Sequence, residues 1–196
     1  MNEPFPEQPA ITLYDPLAEV LGVGDGRFRY RFDDVVKLSG HACPTVAGAF
    51  LMAIQGLQAL YGETMPVRGA VRVFVPGPVD SGVNGPVSQV FTLITGAASA
   101  NGFHGLGGRF VRSGLLVFGG AGNAFRFQRV DNGEQIALTY DPEPIPADPA
   151  LMPLMQQLLQ GNADDRQRRQ FAALWRQRVV DLLEDGGEHT VSASCC

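Results

Sequence analysis

Hydrophobic and polar residues alternate through Arg27-Phe28-Arg29-Tyr30-Arg31-Phe32, and that period of two predicts a strand. Upstream, Asp15-Pro16 can cap and open a short helix through Leu21, after which Gly22 to Gly26 turns the chain. A brief helix over Asp33 to Leu38 follows the strand. From Pro44 the period changes: Val46, Ala47, Phe50, Leu51, Ile54, Leu57 and Leu60 recur at helical spacing. Pro44 suits the first position of that helix, where a missing N–H costs nothing. Ala70 to Val75 predict a strand, and Pro76 to Pro86 a Gly/Pro-rich loop. Val87 to Ile94 fits a helix or a strand by pattern. Leu115 to Phe118, Ala124 to Val130 and Gln135 to Tyr140 predict strands, the last two joined by a hairpin turn at Asp131-Asn132-Gly133.

This order predicts an α+β fold, a mixed or antiparallel sheet packed against helices, with a C-terminal helical extension. Residues 1–140 are expected to form the core and the Pro-rich stretch 141–149 a link. Residues 150–196 then carry two helices, Ala150 to Gln160 and Ala163 to Asp185, and a flexible tail ending in Cys195-Cys196. The chain has 196 residues, 45% of them hydrophobic and 18% charged, enough to bury a sizeable core as one domain.

Charge narrows the partners. A formal net charge of −5 and a single lysine, Lys37, argue against a nucleic-acid surface over the whole domain. Arg166, Arg168, Arg169, Arg176 and Arg178 cluster near the C-terminus. The stripe of Phe171, Leu174, Trp175, Val179, Leu182 and Leu183 makes them the solvated face of a packing helix. No apolar run is long enough to span a bilayer, so no membrane partner is expected. The acidic, Pro-rich start lacks the basic and apolar regions of a signal peptide, and three cysteines without one suggest a cytoplasmic protein.

Candidate chemistry concentrates in Ser39-Gly40-His41-Ala42-Cys43-Pro44, which sets an imidazole and a thiol two residues apart at a helix start. Cys43 is expected at or near the N-cap. Unpaired backbone N–H groups and the positive end of the helix dipole favour a thiolate there, as metal ligand or nucleophile. The Gly-rich segments Gly102 to Gly108 and Gly119 to Gly122 lack the lysine and spacing of a phosphate-binding loop.

Gly40-His41-Ala42-Cys43-Pro44, followed by a Gly-containing apolar helix, resembles the Gly-His-x-Cys-Pro signature of the FmdE family, which takes its name from formylmethanofuran dehydrogenase. The resemblance continues in order through the strand Val71 to Val75, the segment Val87 to Ile94, Thr95-Gly96, the glycines up to Gly108 and Leu115 to Phe118. It covers about the middle two-thirds of the chain. It implies a small α+β domain, a helix over Val87 to Ile94, zinc or another transition metal near the His-Cys turn, and a homodimer. The chain departs from the family in having Ala97 and Ala98 where a cysteine follows Thr-Gly.

His104, Cys195 and Cys196 stand elsewhere as replacement ligands, and His189 lies in the same tail. Zinc takes four Cys or His ligands, or three with an open position for catalysis. The expected set is His41 and Cys43, completed by Cys195, Cys196 and His104. A thiol redox or sulfur-transfer protein is the alternative, with Cys43 as nucleophile, His41 as its proton partner and Cys195 or Cys196 as resolving thiol. A metallochaperone lies between the two readings, and a binding module without chemistry is a third. No substrate is named by these residues, nor is an enzyme decided.

Overall fold

The computed structural model describes residues 4–195. A first hairpin pairs β1 (Ala10–Tyr14) with β2 (Arg27–Arg31), antiparallel, with the short helix α1 (Pro16–Val20) between them. The helices α2 (Phe32–Ser39) and α3 (Pro44–Tyr61) follow, then β3 (Val71–Pro76), α4 (Asn84–Thr95), β4 (Leu116–Gly120), β5 (Phe125–Arg129) and β6 (Gln135–Tyr140). The chain closes with α5 (Leu151–Leu159), α6 (Asp165–Glu184) and β7 (Val191–Cys195). The second sheet has the order β4-β3-β5-β6-β7; β3 and β4 are parallel and the other pairs antiparallel. The fold is α+β with a mixed sheet, as the sequence predicts. None of its described helices is long and apolar enough to cross a membrane.

Alternation explains which sheet face is covered. Val71, Val73 and Val75 of β3, Phe125 and Phe127 of β5, and Ile136 and Leu138 of β6 are buried on one face. There α3 and α4 pack across them. On the other face Arg126 lies over the ring of Phe74, 5.3 Å from its centroid. α3 is buried nearly all round because α6 and α2 cover the sides that the sheet does not. Gly56 brings it close: a Cβ there would lie 2.6 Å from Leu138 Cδ1 and 2.9 Å from the Phe127 ring.

The first hairpin is fastened to the rest by charge. Asp15 caps α1, accepting from the N–H groups of Leu17 and Ala18, and is only 3% exposed. One carboxylate oxygen also takes a 2.7 Å bond from Arg112, and the other a 2.9 Å bond from Arg68. Arg68 in turn donates to the carbonyl of Leu93 at the end of α4. Burial opposes ionisation of Asp15, but the Arg68 hydrogen bond and the Arg112 charge outweigh it and hold the carboxyl below its ordinary value. Nε and Nη1 of Arg112 are buried without a hydrogen-bond partner. Gly69 leaves room for this guanidinium, since a Cβ there would overlap Nη1.

Three local features differ from expectation. β1 carries too short an alternating run, Ala10 to Tyr14, to read as a strand without its partner. The tail, read as a flexible arm, forms β7 along β6 as the edge of the main sheet. Its entry is held by Asp185, whose carboxylate accepts from Thr190 and from the His189 ring. Burial raises the Asp185 carboxyl, but the hydrogen bonds from His189 and Thr190 carry it below its ordinary value, and the Asp185 bond raises His189. Arg178, expected on a solvated face, turns inward and donates to the carbonyls of Ile145 and Pro142, pinning the Pro-rich link to α6.

Candidate functional site

The His-Cys turn is built by two helices meeting at a glycine. α2 ends on Gly40, whose φ of 73° is left-handed and whose N–H closes on the Val36 carbonyl. A side chain at that φ is disfavoured, so Gly40 lets the chain reverse into the turn. Ser39 braces it, with its hydroxyl 2.8 Å from the Val35 carbonyl and 2.7 Å from that of His41. The extended backbone of Cys43 (φ −152°, ψ 166°) then makes it the N-cap of α3, with Pro44 at the first helical position. Trp175 of α6 closes the arrangement from outside, donating its indole N–H to the Ala42 carbonyl at 2.7 Å.

His41 and Cys43 serve different sides of this turn. His41 is exposed and lines an open groove of about 790 Å3 between α2 and α6, which it shares with Phe171, Trp175 and Arg176. Its Nδ1 lies 3.0 Å from the Ser39 carbonyl. A carbonyl only accepts, so this bond assigns the proton to Nδ1 and leaves the Nε2 lone pair for a proton or a metal. Cys43 is half-buried, packs against the hydrophobic core, and carries a free thiol that caps nothing.

Tyr140, the last residue of β6, stands on the Cys43 side. Its ring lies across Gly48 in the second turn of α3, where a Cβ would run into it. Burial pushes the hydroxyl up, with Arg178 opposing and Cys43, Asp185 and Asp141 adding to the shift, so it stays protonated. The Gly48→Ala variant is expected to lose about 1–3 kcal/mol to overpacking, partly offset by about 1 kcal/mol of better helix propensity. Urea unfolding checks the net loss.

The other predicted residues are dispersed. Cys195 closes the described part of β7 opposite Ile136, in a groove of about 670 Å3 with Leu60, Tyr61 and Gly62 at the far end of α3. α3 has 18 residues, or about 27 Å at 1.5 Å per residue, so Cys43 and Cys195 sit at opposite ends of one helix. A disulfide needs Cα atoms within about 7 Å, and both thiols are free. Within one subunit the geometry thus brings neither a shared metal nor a resolving disulfide to Cys43 and Cys195. Cys196 lies outside the described residues. His104 is exposed in the loop after α4, its Nδ1 3.2 Å from Ser113 Oγ. Among the described residues no group of three or more His, Cys, Asp or Glu side chains is placed to hold a metal ion. Ala97, where the resembling family has cysteine, is fully buried in the core.

Two residues of the site escape the sequence pattern. Trp175 reads as part of an apolar stripe, although an indole N–H in a packed face needs an acceptor, and that requirement is the available signal. Tyr140 gives no signal, because its place over Gly48 depends on β6 docking beneath α3.

The fold and site define an α+β protein with an uncapped thiol at the amino end of its central helix. No protein-family model matches the chain, and no curated protein matches it either.

Proposed function

We propose that this is an FmdE-like protein whose working group is the Cys43 thiol, acting on a small molecule. The observation that supports it most is the placement of Cys43: a half-buried free thiol at the N-cap of an 18-residue helix, with no side-chain cap competing for that helix end. With Cys195 at the other end of α3, nucleophilic or sulfur-carrying work by Cys43 alone is favoured over a disulfide cycle within one subunit. Free thiols suit a reducing compartment, and the cytoplasm is proposed on that ground.

A second reading, a zinc or other transition-metal site, is favoured by one observation, a His41 Nε2 without a hydrogen-bond partner on the same turn as Cys43, two residues away along the chain. That pair is two ligands of the four zinc takes, so the rest would come from His104, the tail cysteines or a second copy of the chain. The homodimer belongs to the same proposal. An apolar groove along α4, with Leu38, Val79, Leu93 and Phe118 in its walls, supports it, and light scattering measures it.

Metal analysis of untagged wild type, Cys43→Ser and His41→Ala, run beside iodoacetamide labelling of the native protein, decides between the readings. The thiol reading expects Cys43 alkylated in the native state and no stoichiometric metal. About one metal per subunit, lost in both variants, would replace it with the metal reading. An inert Cys43 and no metal would remove both.

A further inference from the structure

Ahead of β1 the chain carries the run Pro4-Phe5-Pro6-Glu7, which forms neither helix nor strand. It lies against α2 and α6, and each chemical feature it offers is met there. The ring of Phe5 meets buried Phe32 edge to face at 5.0 Å, and the Arg176 guanidinium lies over it, 4.4 Å from its centroid. The Phe5 N–H donates to Asp33 Oδ1 at 3.3 Å, and Arg176 Nη2 donates to the Pro4 carbonyl at 2.7 Å. Glu7 pairs with Arg31 at 3.4 Å, where both side chains are largely exposed. Phe32, Asp33 and Arg176 thus recognise an aromatic ring together with the peptide groups that flank it.

Two features set this arrangement apart from a terminus packed into a core. The segment leaves space beside it: Pro4 and Phe5 form one wall of the open groove of about 790 Å3 that continues to Phe171 and Trp175. Further on, Pro6 and Pro9 border a second open space of about 500 Å3 against Leu183 and Glu184 of α6. The composition of the run also suits a ligand. Each proline fixes its own φ, and Pro6 biases Phe5 toward extended backbone. Such a segment loses little freedom on docking, which is how proline-rich ligands bind aromatic-lined grooves.

We propose that the groove between α2 and α6 is a docking site for a peptide segment of a partner protein that presents an aromatic residue flanked by prolines, and that residues 4–7 occupy it in cis as an autoinhibitory stand-in. The incoming ring takes the place of Phe5 between Phe32 and Arg176, its N–H bonds to Asp33, and the chain beyond it fills the groove toward Trp175. The tethered segment competes at an effective concentration of about a millimolar, as short linkers do, so a ligand must displace it. The site does not depend on the reading of Cys43, which serves the other side of the His-Cys turn.

An acetylated and amidated peptide with the sequence of residues 4–7 tests this, and Trp175, the only tryptophan of the chain, reports its binding. Phe5→Ala, which vacates the site, should bind the peptide saturably. Wild type should need about tenfold more peptide, because its own segment competes. The same peptide with alanine in place of phenylalanine should not bind Phe5→Ala. Glu7→Lys leaves the Phe5 ring in place but sets a cation opposite Arg31, so its affinity should fall between the two, and it carries the test if Phe5→Ala does not fold. No saturable binding to either variant, or equal binding of the alanine peptide, would overturn the docking site. Equal affinity in wild type and both variants would overturn the occupancy in cis. Light scattering reads the remaining occupant: a wild-type dimer that Phe5→Ala turns into a monomer would mean arms exchanged between two copies, and would overturn the separate partner.

Discussion

Asp15→Asn is expected to cost about 3–5 kcal/mol of folding stability, because it leaves the buried Arg112 guanidinium without its counter-ion. Arg112 has already given up water at Nε and Nη1 without replacement, so the Asp15 carboxylate is its main compensation. The amide keeps an oxygen that can still cap α1, so the loss reads the charge rather than the cap. Denaturant unfolding of the variant measures it. Arg112→Met combined with Asp15→Asn should cost less than the two single changes added, since each removes the reason the other hurts. The pH dependence has a definite sign. The Asp15 carboxyl is held below its ordinary value in the folded protein, so its contribution is complete above the unfolded value of about 3.9. It fades as pH falls through the folded one. The gap between wild type and Asp15→Asn should therefore stay constant above about pH 5 and close in acid.

Phe127→Ala should be comparably severe, about 3–5 kcal/mol, through lost burial and the cavity left behind. Phe127 is fully buried on β5, meets Phe91 of α4 edge to face at 5.0 Å, and lies under Gly56 of α3. It thus joins both helices to the sheet. The glycine above it has no side chain to move into the space, so collapse can recover little. Phe127→Leu should lose much less, which unfolding of both variants compares. Iodoacetamide labelling of Cys43 in native Phe127→Ala should remain site-specific, because the cavity opens toward the other end of α3.

Local period carried most of the fold. Val71 to Val75, Phe125 to Arg129 and the α3 stripe declare strand or helix because one side of each faces the same core. Helix-end chemistry carried the centre of the site in the same way, since Pro44 and the preceding Cys43 specify a first turn and an N-cap from adjacent residues. Thr95-Gly96 marks the end of α4 for a similar reason, with Gly96 left-handed at a φ of 74°. The Val87 to Ile94 segment is decided less locally: its pattern allows strand or helix, and packing of Val87, Val90, Phe91 and Ile94 against the core makes it α4.

What the sequence by itself determined, then, is the kind and order of the elements and the presence of a thiol at a helix start. The tertiary structure alone decided which residues share that thiol's surroundings. β7 docks along β6 and carries Cys195 to the far end of α3 from Cys43, while the end of β6 brings Tyr140 to it. α6 returns across more than a hundred residues to set Trp175 on the Ala42 carbonyl. Periodicity reports which face of a segment is buried, but not which other face it is buried against. That choice depends on strand pairing and helix docking between distant segments, where closing long loops is repaid only by contacts the whole fold supplies.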